Sequence, residues 1–180
     1  MGTVIAPKLL YIREKLFSAM GELTIMNSAG QVAYVCASSW AWIGESWILM
    51  QSNMRVASSR RKLLAPRPTW HVETPDGPLF LRRKVLSLRR HVSVQGGPYD
   101  GAELTGTLFD LSFVLTYQGQ ALARATGEFP SLRDSHVIEV FDPSAELLAV
   151  ILMVNVMIAR RNRMGAASDM TPGQNTGINI

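Results

Sequence analysis

Between Leu147 and Ala159 the chain reads Leu-Leu-Ala-Val-Ile-Leu-Met-Val-Asn-Val-Met-Ile-Ala, and Asn155 is the only polar side chain in the run. A helix that meets water on one side carries a polar stripe, so a helix apolar all round must be wrapped in apolar material. The wrapping is either a bilayer or the protein itself. A span needs ~20 apolar residues to cross a ~30 Å hydrocarbon core, whereas this run rises only about 20 Å. That length matches the height of a sheet closed from strands of five or six residues. The run is therefore expected to be a helix that fills the inside of its own protein. Asp142-Pro143-Ser144-Ala145-Glu146 is a clear start for it. Asp supplies an N-cap, Pro tolerates the first position, and Glu complements the positive end of the helix dipole. Arg160, Arg161 and Arg163 complement the other end.

A wrapped helix needs a wrapper, and a repeat supplies it. Lys15–Ile25, Lys62–Val72 and Lys84–Val94 align without gaps. Each runs lysine, two apolar residues, a small residue, a polar or proline-containing turn, then alternating apolar positions. A looser copy, Gly127–Val140, lacks the lysine. Between the copies stand hairpin signals: Asn27-Ser28-Ala29-Gly30, Pro75-Asp76-Gly77 and Gln118-Gly119, each flanked by alternating apolar residues. Spacing of about ten residues predicts ten to twelve short strands through residue 140. So many strands in 180 residues must close or stack, because open edges invite aggregation. The expected fold is mainly β, a closed antiparallel barrel of about twelve strands around one central hydrophobic C-terminal helix. A two-sheet sandwich is the alternative.

The lysine corners joined by glycine hairpins, Arg133-Asp134 before a strand, and Asp142 and Glu146 leading into the Leu-Leu-Ala-Val-Ile run resemble the LURP-one-related family. That family is grouped with the tubby C-terminal-like and phospholipid-scramblase-like domains. The resemblance covers residues from about 8 to 163 and implies a twelve-stranded barrel around a hydrophobic helix. It gives residues 1–164 as one domain. Residues 165–180, rich in Gly, Asn, Thr and Pro, are expected to be a disordered tail.

Catalytic motifs are absent: there is no P-loop, no GxGxxG after a strand, no GxSxG elbow and no HExxH. The expectation is a protein that is not an enzyme and uses no cofactor or metal. His71, His91 and His136 are read as structural imidazoles rather than a metal site. Cys36, the only cysteine, sits in a hydrophobic strand as a small buried residue, and a lone thiol without an export signal suits a cytoplasmic protein. Trp40, Trp42 and Trp47 could form an interfacial belt or a stacking platform, but alternation with Ala41 favours core packing. Scramblase-like proteins have a calcium-binding segment near Asp134, Glu139, Asp142 and Glu146. The calcium-loop spacing fails here, because His136 and Ile138 occupy ligand positions.

Charge is the most informative signal. From Arg55 to Val94 ten Lys and Arg face only Glu73 and Asp76, a net of +8, while residues 95–159 carry −6. The clusters Arg60-Arg61-Lys62 and Arg82-Arg83-Lys84 precede equivalent corners, so they should reach similar heights on related strands, with Arg89-Arg90 close by. These eight residues are the candidate contacts for anionic phospholipid headgroups at a membrane surface, and tubby-like relatives bind phosphoinositides. A protein partner or a scramblase-type membrane protein are the alternatives. Nucleic acid is not expected, since no exposed aromatics interleave with the charges.

Overall fold

The computed structural model describes residues 6–14, 22–41, 44–84, 90–107, 112–127 and 135–168. Its twelve strands are β1 (Lys8–Glu14), β2 (Glu22–Asn27), β3 (Val32–Ala41), β4 (Gly44–Gln51), β5 (Met54–Lys62), β6 (Thr69–Thr74), β7 (Gly77–Arg83), β8 (Arg90–Gln95), β9 (Glu103–Thr107), β10 (Ser112–Tyr117), β11 (Gln120–Gly127) and β12 (Ser135–Val140). Each pairs antiparallel with its sequence neighbours, and β12 pairs with β1, Ile138 opposite Leu10, so the sheet closes without an edge. The sandwich alternative is thereby set aside.

Strand alternation puts one residue in two inside. Leu10 and Ile12 of β1, Leu23 and Ile25 of β2, Trp47 and Leu49 of β4, and Phe113 and Leu115 of β10 all face inward and are buried. The repeat is real in three dimensions: Leu23, Trp70 and Val92 hold the same repeat position and all three are inward and buried, as are Ile25, Val72 and Val94. Gln118 and Gly119 both adopt positive φ, the two-residue turn whose twist suits a hairpin.

A 3₁₀ turn (Pro143–Ala145) leads from β12 into helix α1 (Glu146–Ser168). Asp142 caps it, its carboxylate accepting from the Ser144 amide at 2.9 Å and the Ser144 hydroxyl at 2.6 Å. The helix then rises through the lumen, and Ala149 to Ala159 are buried on every side, Asn155 included. The segment Pro143–Arg160 is long and apolar enough to cross a membrane, but 72 % of it is buried inside the protein. The helix runs to Ser168, past the apolar run and four residues into the segment expected to be a disordered tail; residues 169–180 lie outside the described residues. Trp47 is core, as the sequence suggests. The side chain of Trp40, and Trp42 altogether, lie outside the described residues.

The helix enters where even-numbered strands end and leaves where odd-numbered strands end, which gives the barrel an entry end and an exit end. At the entry end three ties fix the base of the helix. Glu146 bonds Lys8 Nζ at 2.7 Å and accepts from the Tyr34 hydroxyl at 3.0 Å, and the Tyr99 and Ser144 hydroxyls are 2.7 Å apart. Burial first, and then the neighbouring Glu146 carboxylate, raise the Tyr34 phenol well above its ordinary range.

Candidate functional site

The basic clusters fall at the exit end because β5 and β7 both finish there. Antiparallel register sets Lys62 opposite Thr69, and Thr69 opposite Arg82. With strands about 4.8 Å apart, the Cα atoms of Lys62 and Arg82 stand roughly 10 Å from each other at one level of the outer wall. One level down, Arg60 aligns with His71 and Phe80. Arg61 follows the inward parity of Ala57 and Ser59 and reaches the rim, its guanidinium 6.0 Å from the centre of the buried Trp70 ring. Arg83 shares the inward parity of Leu81, and its backbone amide donates to the Pro68 carbonyl at 3.0 Å. The Lys84 amide donates to the His91 carbonyl, fixing that residue beside the start of β8, where Arg90 pairs with Gly106. The expectation that the first two clusters reach similar heights therefore holds. The Arg90 side chain and all of Arg89 lie outside the described residues.

An open groove of about 800 Å³ runs beside this cluster, lined by Arg60, Lys62, Leu63, Leu64, His71 and Phe80 among others. Its aromatic floor is organised: His71 and Phe80 pack at 5.0 Å between centres with their planes tilted by 38°, and Lys62 Nζ lies 4.6 Å from the centre of the Phe80 ring. A cation over an aromatic face is attracted by the ring quadrupole, which steadies a long side chain that would otherwise wander. Leu63 and Leu64 project from the β5–β6 connection, and Leu64 is fully exposed. Sequence reading took this pair as ordinary apolar positions of the repeat and missed them. The available signal was their place directly after three basic residues and before Pro66 and Pro68.

The remaining candidates separate. His71 lines the groove, His91 Nε2 lies 3.0 Å from Glu103 Oε1, and His136 is buried on β12. Among the described residues no three His, Cys, Asp or Glu side chains stand together as a metal site would require. Asp142 caps the helix start and Glu146 ties it to β1 and β3, while Asp134 lies outside the described residues. Burial pushes the Cys36 thiol up to about 12, so it stays protonated and unreactive at neutral pH. At the entry rim, a half-open pocket of about 30 Å³ between the β6–β7 turn, Tyr99 and the start of the helix offers room for little more than water.

The family model for LURP-one-related proteins matches residues 8–157, from the first residue of β1 to within the last buried turns of α1. The chain belongs to the LURP-one-related family. The match covers every strand and nearly all of the enclosed part of the helix, so what the family shares is the wrapped-helix barrel itself. No curated protein and no solved structure matches the chain. The barrel and the family are compatible with a binding module.

Proposed function

We propose that this LURP-one-related barrel is a non-enzymatic module that docks on membrane surfaces carrying anionic phospholipid headgroups, peripherally and on the cytoplasmic side. The contacts are Arg60, Arg61, Lys62, Arg82, Arg83, Lys84, Arg89 and Arg90. One observation carries the reading: Lys62 and Arg82 flank Thr69 at a single level, with Arg60 and Arg61 adjoining, so two basic runs some twenty residues apart in sequence come side by side at the exit end. Each basic residue near an anionic surface contributes ~1 kcal/mol, and contributions from one sector act together on one bilayer. Nucleic acid is disfavoured because stacking needs free ring faces. Trp47 and Trp70 are buried, and His71 and Phe80 lie against each other.

Flotation of the full chain tests the proposal, with phosphatidylcholine vesicles compared against vesicles that also contain phosphatidylserine or a phosphoinositide. Binding only to the anionic vesicles, weakened by salt and reduced on the order of a hundredfold by Arg60→Gln, Lys62→Gln and Arg82→Gln together, is the expected outcome. Equal, salt-insensitive partitioning would reject it in favour of a protein partner.

A further inference from the structure

We propose that Leu63 and Leu64 form a wedge that enters the bilayer while the surrounding basic residues hold its headgroups. The inference rests on the membrane-docking reading above and adds to it a depth and an orientation.

Two features of the β5–β6 connection support the wedge. Leu63 is 60 % exposed and Leu64 is 101 % exposed, and they are consecutive. Among the described residues the other exposed large apolar side chains, Val32, Ile48, Met54 and Phe141, stand singly on separate elements. Single exposed apolar residues are ordinary on soluble proteins. An adjacent pair at the tip of a connection presents a continuous apolar surface that costs free energy to keep in water, a cost that hydrocarbon relieves.

Charge decides which apolar phase the pair meets. Arg60, Arg61 and Lys62 precede it, Arg67 follows it, and Arg82 lies across Thr69. A hydrophobic partner protein would have to match this collar with acids of its own, whereas an anionic bilayer offers hydrocarbon directly beneath a plane of negative headgroups. The collar is also held at the right level: the rings of Trp70 and Phe80 lie beneath the Arg61 and Lys62 heads. Pro66 and Pro68 remove two backbone N–H groups from the same connection. Fewer donors then need partners where water is scarce. Insertion to roughly 5–10 Å would bring both leucines into the boundary between headgroups and acyl chains. The barrel would thus dock exit end down, with the turn at Asp76 at the entry end pointing away.

Position-specific fluorescence tests this in the full chain. In a Cys36→Ala background, Leu64→Cys is labelled with NBD, and Asp76→Cys serves as the control on the far end. With phosphatidylserine vesicles the label at 64 should shift to the blue and be quenched by lipids carrying a nitroxide high on the acyl chain, and the label at 76 should do neither. Leu63→Ser with Leu64→Ser should weaken vesicle binding at least roughly tenfold while leaving its salt dependence unchanged. If the chain binds anionic vesicles but the label at 64 stays in water and the double serine variant binds as the parent does, the wedge is wrong and headgroup docking survives. If the parent chain does not bind anionic vesicles, both are wrong.

Discussion

Asn155→Leu should stabilise the protein. The residue is 3 % exposed, within the stretch Leu148–Ala159 whose other side chains are all apolar, and its Nδ2 has no hydrogen-bond partner among the described residues. A buried amide donor left without an acceptor costs about 1–3 kcal/mol relative to one that stays in water. Leucine has the same branched outline, removes that penalty, adds apolar burial and is the better helix former by a few tenths of a kcal/mol. Its methyls are bulkier than the amide, which returns part of the gain as crowding in a close-packed lumen. The expected net is a stabilisation of about 1–2 kcal/mol. For a chain of 180 residues that is a rise in melting temperature of roughly 2–8 °C. Urea unfolding followed by tryptophan fluorescence measures it, with the slope unchanged and the midpoint moved upward. A loss of 1 kcal/mol or more would refute the reasoning, because it would mean that Asn155 has a partner worth more than an apolar neighbour.

Gly106 of β9 faces Phe113 of β10, and a Cβ at that position would overlap the Ser112 carbonyl oxygen and the Phe113 ring. Gly106→Ala should therefore destabilise by about 1–3 kcal/mol in a thermal melt, whereas alanine in a helix or strand normally improves on glycine. Alkaline pH should also weaken the fold. The Cys36 thiol titrates at 9.0 in the open chain and at about 12 in the barrel, so stability is intact below pH 9 and falls as pH rises from 9 to 12. The raised Tyr34 phenol acts in the same direction from about pH 10 upward. Between pH 7 and pH 10.5 the urea midpoint should correspond to about 2 kcal/mol less loss in Cys36→Ala than in the parent chain; equal losses would contradict the burial of the thiol.

The sequence made the architecture legible because one physical demand dominated it. A helix from Leu147 to Ala159 without a polar stripe has to be wrapped, and alternating strands at ten-residue spacing offer the wrapper. The repeat correctly put Leu23, Trp70 and Val92 in equivalent, buried places. Contacts between distant residues were not legible. Glu146 reads as a dipole complement in sequence, yet its carboxylate bridges Lys8 and Tyr34, partners more than a hundred residues away. The site was half legible. Runs of like charge announce themselves, and antiparallel pairing through β6 was enough to align Lys62 with Arg82. Leu63 and Leu64 escaped notice because an apolar pair within a repeat looks like core until the fold shows it facing water.

Enclosure of the helix is the claim from which the rest descends, and backbone hydrogen exchange in plain buffer, without detergent or lipid, tests it most directly. Amides from Leu148 to Ile158 should exchange as slowly as those of the central strands, because both are released only when the barrel opens as a whole. Rapid exchange in that segment while the strands remain protected, or protection that emerges only after vesicles are added, would contradict it.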